Sequence, residues 1–235
     1  MEAELRPFVR RAHLRVDPRS SRSVAGPGAP RLWRGRVGAT EIVATRIGVG
    51  RVPAAEMTEM VLDTVEVDHV VIMGVAGGLA PAASVGEVVV PAVVVDGETG
   101  LEYRSPSSVV AGAAGTILTT ATPVTDAVAH LDWAAQGYRA VDLESAVVAM
   151  ACAQRGIPWT TVRGISDRPD HGIVDQHVMA LTRADGTADL LAVCRFLLRR
   201  PQRLPDLVTL GRGLRSATGA AADAVLGACA GEPPS

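Results

Sequence analysis

Between Ala140 and Asp170 the chain reads AVDLESAVVAMACAQRGIPWTTVRGISDRPD, which sets a few carboxylates into an otherwise apolar stretch. Asp142 and Glu144 stand at the head of an Ala/Val/Met-rich run to Gln154 that contains neither Gly nor Pro, so a helix is predicted there. Acidic residues in a first turn complement the helix dipole, and Asp142 reads as a solvated cap. Glu144 precedes an Ala/Val-rich face and is better placed to be partly buried. Gly156 and Pro158 stop the helix, and Trp159 to Ile165 reads as a β-rich strand with Ser166-Asp167 just past its end. Ligands of open α/β sheets bind beyond the carboxyl ends of strands, so Asp167 is where chemistry is expected. Plainer readings stand beside these. The first pair suits a well-made helix N-terminus, and Ser166-Asp167 with Pro169 suits a turn.

The rest of the chain must supply the frame. Glu2 to Arg11 has helical character, with Leu5, Phe8 and Val9 on one face, and residues 14–31, rich in Arg, Ser, Pro and Gly, read as a flexible loop. Leu32–Val37 and Glu41–Ile47 read as two strands around Gly38, followed by Gly48-Val49-Gly50-Arg51 and a helix from about Pro53 to Val65. His69–Met73, HVVIM, is a strand of the kind buried on both faces. The segment after it, Gly74-Val75-Ala76-Gly77-Gly78-Leu79, reads as a glycine-rich turn that lets backbone N–H groups approach a ligand. It is neither GxGxxG nor a P-loop, so dinucleotide and nucleoside-triphosphate binding are unsupported. Further strands are expected at Glu87–Val95 and Gly115–Thr120. A loop with a helix around His177–Leu181 is expected over 168–188, then helices at Leu190–Arg199 and 206–230, and a frayed tail at 231–235. Alternating strands and helices predict an α/β fold: a single domain over residues 1–235, with a central mixed sheet flanked by helices on both faces.

Composition narrows the function. Hydrophobic residues make up 48% of the 235, yet no apolar run approaches a membrane span, which needs about 20 residues. The formal net charge of −2 leaves no electrostatic footprint for nucleic acid. Cys152, Cys194 and Cys229 lack metal-ligand spacing and read as free thiols of a reducing cytoplasm. MEAELRPFVRR has no apolar core of a secretory signal. A cytoplasmic protein with no metal, membrane or nucleic-acid partner is expected.

The residues also carry a resemblance. VDLESAVVAMACAQRGIPWTTVRGISD closely resembles the segment of the nucleoside phosphorylase/nucleosidase superfamily in which an acidic-Met/Leu-Glu-Ser/Ala motif precedes a helix and a strand ends in Arg-x-Ile-Ser-Asp. The branch it is most similar to is that of the methylthioadenosine/S-adenosylhomocysteine nucleosidases and related bacterial nucleosidases. GVGRVPAA (Gly48–Ala55), MGVAGGLAPAASVGEVVV (Met73–Val90) and MEAEL (Met1–Leu5) resemble further family segments, in the same order.

The resemblance implies a fold, an activity and a site. Glu4 matches the general base that holds an attacking water, Glu144 the carboxylate that binds the ribose hydroxyls, and Asp167 the acid that protonates purine N7, with Ser166 beside it. Leu143 falls under the sugar, Val124 where main-chain groups meet the base, Val75, Ala76 and Gly77 along the site, and Arg163 near it. Such a site breaks an N-ribosidic bond without metal or organic cofactor: an anion at the hydroxyls favours the oxocarbenium-like state, and a protonated acid helps the base leave. The implied partner is a nucleoside, the implied setting purine catabolism and methionine salvage, and the implied assembly a homo-oligomer, with a dimer favoured.

Two departures from the family pattern shape the expectation. Met1 stands where the family's opening strand has already ended, so the sheet is expected to lack that first strand or the start to lie upstream, with Glu4 poorly anchored. Val75 and Ile72 stand where phosphorylases hold phosphate with Ser and Arg, which favours hydrolysis, since a desolvated phosphate would find little compensation. Arg46 and Arg51 are substitutes only if they are not simply surface or subunit-contact residues. The sequence reading is thus a purine-nucleoside N-ribohydrolase. The alternatives are a phosphate-using nucleoside phosphorylase, including one with a hopanoid-type adenosyl substrate, and a degenerate nucleoside binder.

Overall fold

The computed structural model describes residues 2–18, 20, 30–79, 83–106, 109–112, 114–124, 126–168, 181 and 190–231. In chain order the elements are α1 (Glu2–Arg11), β1 (Arg15–Val16), β2 (Trp33–Val37), β3 (Thr40–Ala44), α2 (Arg51–Thr64), β4 (Val70–Gly78), β5 (Val88–Val89), β6 (Val93–Asp96), β7 (Glu102–Arg104), β8 (Thr116–Thr119), α3 (Ala127–Ala135), β9 (Tyr138–Asp142), α4 (Ser145–Gln154), β10 (Trp159–Asp167), α5 (Leu190–Arg199) and α6 (Leu204–Ala230).

Seven strands form a mixed sheet in the order β5-β10-β4-β9-β8-β6-β7, and β1-β2-β3 form a small antiparallel sheet. The α/β architecture expected from the alternation is therefore present, with helices on both faces. β4 and β10 run parallel at the centre, in register from Trp159 against Val70 to Asp167 against Gly77. Side chains alternate between two cores. Ile72, Ala76 and Ile165 pack with Ala54 of α2 and the apolar face of α4, whereas Val162 and Met73 pack with Phe8 of α1 and Ala221, Ala222 and Val225 of α6. The fit against α6 leaves no room for side chains. A Cβ on Gly164 would lie 2.2 Å from the Ala217 carbonyl oxygen, and one on Gly213 2.2 Å from that of Ser166.

Several expectations need correcting. Residues 14–31 are not all loop. Arg15 and Val16 pair with Arg34 and Trp33, Leu14 is buried, and Asp17 receives Arg34 at 2.6 Å. Residues 21–29 lie outside the described part, as do 169–180, 182–189 and 232–235, with the helix expected around His177 and the frayed tail. The glycine-rich segment after Met73 is no turn: β4 continues through it to Gly78. Its glycines serve close approach within the sheet, since a Cβ on Gly78 would lie 2.7 Å from both Ala83 and Ile165 side chains. The run expected at Glu87–Val95 is broken at Val90-Pro91-Ala92 into β5 and β6. α3 and β9 had no clear sequence signal. α3 is capped by Asp126, whose side chain accepts from the Val128 N–H at 2.9 Å.

On the flank away from β10, β4 pairs with β9 at Gly77 and Gly78. Glu4 is nonetheless anchored, which overturns the expectation of a loosely held side chain. α1 packs against α6 and β4, and Glu4 Oε1 accepts the Val75 N–H at 3.1 Å.

Candidate active site

The site runs along β4 and β10 from their middle to their carboxyl ends. Arg163 of β10 lies opposite Gly74 of β4, and its guanidinium folds back over that glycine; a Cβ there would lie 2.1 Å from Nη1. Only glycine leaves this path open. The guanidinium is fully enclosed. Burial would lower its pKa, but Asp142, Glu144 and Glu4 together raise it, so it stays cationic. Nη2 lies 2.7 Å from Asp142 Oδ2 and 3.6 Å from Glu144 Oε2, and Nε and Nη2 donate to Ser145 Oγ at 3.2 and 3.0 Å.

Asp142 is the largest departure from the sequence reading. It does not cap a helix in solvent but ends β9, its side chain 1% exposed. Oδ1 accepts the Thr119 hydroxyl at 2.7 Å, Oδ2 accepts the Ser145 hydroxyl, and Thr119 Oγ1 in turn accepts the Ala146 N–H at 3.0 Å. Such a fully engaged carboxylate is a structural anchor for Arg163. Sequence reading missed Thr119 and Ser145 in this role, although the strand ending in hydroxyls at Thr119-Thr120 was the available signal.

Glu144 occupies the N-cap position of α4 but makes no capping hydrogen bond. Its side chain turns instead to the loop before α2, where Oε1 accepts the Gly50 N–H at 2.9 Å. Burial pushes its carboxyl up, opposed by Arg163 and the Gly50 N–H and reinforced by Asp142 and Glu4. Leu143, between β9 and α4, is half-buried.

Asp167 ends β10 beside Gly77, where a Cβ would lie 4.0 Å from its Oδ2. Its Oδ1 accepts the Ser166 hydroxyl at 2.6 Å, and Ser166 Oγ lies 3.4 Å from the Ala76 carbonyl oxygen. Val75 is half-buried and Ala76 buried. Val124 lies in the segment leading to α3 and is half-buried. His130 gave no sequence signal. It is 8% exposed, its Nδ1 has no hydrogen-bond partner among the described residues, and burial lowers its pKa against the opposing charges of Asp167 and Asp126.

Glu4, Glu144 and Arg163 thus meet at one place, and Ser166, Asp167, Gly77 and Ala76 at another, four residues farther along β10. That separation is about 13 Å of strand. His171 and His177 lie outside the described residues. Among the described residues, no three His, Cys, Asp or Glu side chains are grouped to hold a metal, and no helix is long and apolar enough to cross a membrane. Cys152 is a buried free thiol pushed up to about 11, mainly by burial; Cys229 is also free.

Solved structures share this architecture. The 5′-methylthioadenosine/S-adenosylhomocysteine nucleosidase of Colwellia psychrerythraea, in complex with adenine, is similar with a TM-score of 0.71 and 20% identity, over 100% of this chain and 95% of that one. The S-adenosylhomocysteine nucleosidase of Streptococcus pyogenes, with 5-methylthiotubericidin, gives a TM-score of 0.71 at 18% identity, over 100% and 94%. The futalosine hydrolase of Helicobacter pylori gives 0.67 at 16%, over 96% and 92%. No curated protein sequence matches the chain. The profile of the phosphorylase superfamily matches residues 1–113 and 107–197, most of the chain, and the protein belongs to that superfamily.

Proposed function

We propose that the chain is a purine-nucleoside N-ribohydrolase, releasing adenine from an adenosine-type nucleoside such as 5′-methylthioadenosine or S-adenosylhomocysteine. The observation that carries this reading is the meeting of Glu4, Glu144 and Arg163 at the middle of β4 and β10, with Asp167 at the carboxyl end of β10. In this reading Glu144 grips the ribose hydroxyls and favours positive charge on the sugar. Glu4, held by the Val75 N–H with Arg163 beside it, takes a proton from the attacking water. Asp167, supported by the Ser166 hydroxyl, delivers a proton to the departing base, while Val124 meets that base through its main chain.

Water is favoured over phosphate by what lines the site. Ile72 is buried in the core, and the Val75 N–H is spent on Glu4. Arg51 is no stand-in for a phosphate-binding cation, because Asp96 and Glu98 hold it. A phosphate dianion placed here would meet carboxylates with little compensation.

The test is adenine release from methylthioadenosine, S-adenosylhomocysteine and adenosine, each with and without phosphate. The expected result is phosphate-independent release, reduced about 10²–10⁴-fold in Asp167→Asn. Release that requires phosphate would make the chain a phosphorylase. Nucleoside binding without any release would make it a binder.

A further inference from the structure

Arg51 is the first residue of α2, and directly before it Gly50 donates its N–H to Glu144. The Arg51 guanidinium makes a bidentate pair with Asp96, Nη1 to Oδ1 at 2.8 Å and Nη2 to Oδ2 at 2.7 Å, while Nε lies 3.2 Å from Glu98 Oε2. The pair is largely enclosed: the Arg51 side chain is 18% exposed and that of Asp96 5%. A parallel fork of this kind fixes direction as well as distance, which a point charge does not.

Asp96 is itself immobilised. It ends β6, its Oδ1 accepts the Glu98 N–H at 3.0 Å, and its main chain closes the turn to β7, accepting from the Gly100 N–H at 2.7 Å. Along the sheet, Asp96 is the register partner of Thr119, and Thr119 is that of Asp142. One row across β6, β8 and β9 therefore carries both the partner of Arg51 and the anchor of Arg163. Gly50 has φ 86° and ψ 170°, a backbone state reserved for glycine, whose N–H direction its own side chain does nothing to fix.

We propose that Arg51 and Asp96 are positioning residues: their ion pair sets the start of α2 and so holds the Gly50 N–H on Glu144, orienting that carboxylate for the ribose hydroxyls. The last clause rests on the proposed function; the clamp on Gly50 does not. The groups facing Glu144 are Arg163 from β10, Asp142 from β9, Glu4 from α1 and the Gly50 N–H, and the last belongs to the residue bonded to Arg51.

The experiment uses the full chain with Arg51→Met, Arg51→Lys and Asp96→Asn. Asp96→Asn keeps side-chain volume and an oxygen for the Glu98 N–H, so it tests the pair even if Arg51→Met folds poorly. The Glu144 carboxyl is followed by carbon NMR titration and the Gly50 amide by its nitrogen shift, neither of which needs activity. KM for methylthioadenosine and binding of free adenine, which has no hydroxyls to grip, are measured alongside. The expected result is an upward shift of the Glu144 titration in Arg51→Met and Asp96→Asn, and a smaller one in Arg51→Lys. A roughly tenfold rise in KM with unchanged adenine binding is expected to accompany it. An unmoved Glu144 titration and Gly50 amide would overturn the clamp. A shifted titration with unchanged KM would uphold the clamp and overturn the ribose-binding reading of Glu144. Equal weakening of nucleoside and adenine would reduce the pair to general support and overturn the proposal.

Discussion

Two arginines hold Glu144 from different sides, by different physics. Arg163 sits between the central strands, fully enclosed, and acts by charge: it attracts Asp142, Glu144 and Glu4 and so offsets part of their mutual repulsion. Arg51 sits where α2 meets the β6–β7 turn, touches none of those three, and acts by geometry through a backbone N–H. The first decides whether the carboxylates can be buried at all. The second decides only where one of them points. Removing a lone cation from a buried cluster strands several charges, whereas removing a clamp releases a single hydrogen bond.

That contrast breaks first at Arg163. Arg163→Met is expected to cost about 3–5 kcal/mol by leaving Asp142 in particular without its cation. In a chain of this size that lowers Tm by roughly 2–4 °C per kcal/mol. A thermal melt matching the parent would show that the carboxylates do not depend on this charge. Gly74→Ala comes next. Its methyl group would collide with Nη1 and displace the guanidinium, with an expected cost of about 1–3 kcal/mol and a loss of activity. Retained activity would mean that Arg163 can take another path.

Gly50→Ala sharpens the other side. No atom crowds this position, so the cost is backbone strain alone, about 1–3 kcal/mol, with KM for nucleoside rising more than Tm falls. A change in Tm alone would dissociate Gly50 from the sugar end. The smallest stability effect is expected at Glu144. Because burial raises its carboxyl in the folded state, its contribution is fully present below the unfolded-state value and is lost as pH rises through the folded one. Glu144→Gln should therefore melt no lower than the parent at pH 7, with the difference shrinking as pH falls, while hydrolysis drops about 10²-fold or more. A marked destabilisation at pH 7 would mean that the Glu144 anion is a structural partner of Arg163 rather than a ligand-facing group.

Legibility in the sequence followed the range of the interaction. HVVIM could be recognised as a buried strand, Trp159–Ile165 as a β-rich strand and the run to Gln154 as a helix because residue type and period are local properties. β10 nonetheless runs on through Ser166 and Asp167, which the sequence put just past its end. Ser166 and Asp167, adjacent in the chain, were singled out together and do hydrogen-bond. YRAVD was not seen as a strand, since an arginine and an aspartate in five residues hide an interior strand that only pairing with β4 and β8 creates. The glycine-rich continuation of β4 read as a turn because the reason for its glycines, the Arg163 guanidinium above Gly74, comes from residues far along the chain.

By itself, then, the sequence determined the α/β alternation, the central strands and the identity of the acidic groups, all of which follow from residue type and local period. The tertiary structure alone decided what each charge does. Asp142 could be a solvated cap or a buried anchor, and Arg51 a surface cation or a clamp. The outcome depends on whether a neighbour distant in the chain removes water and supplies the opposite charge. Burial and pairing of that kind arise only when strands β4, β6, β8, β9 and β10 come into register.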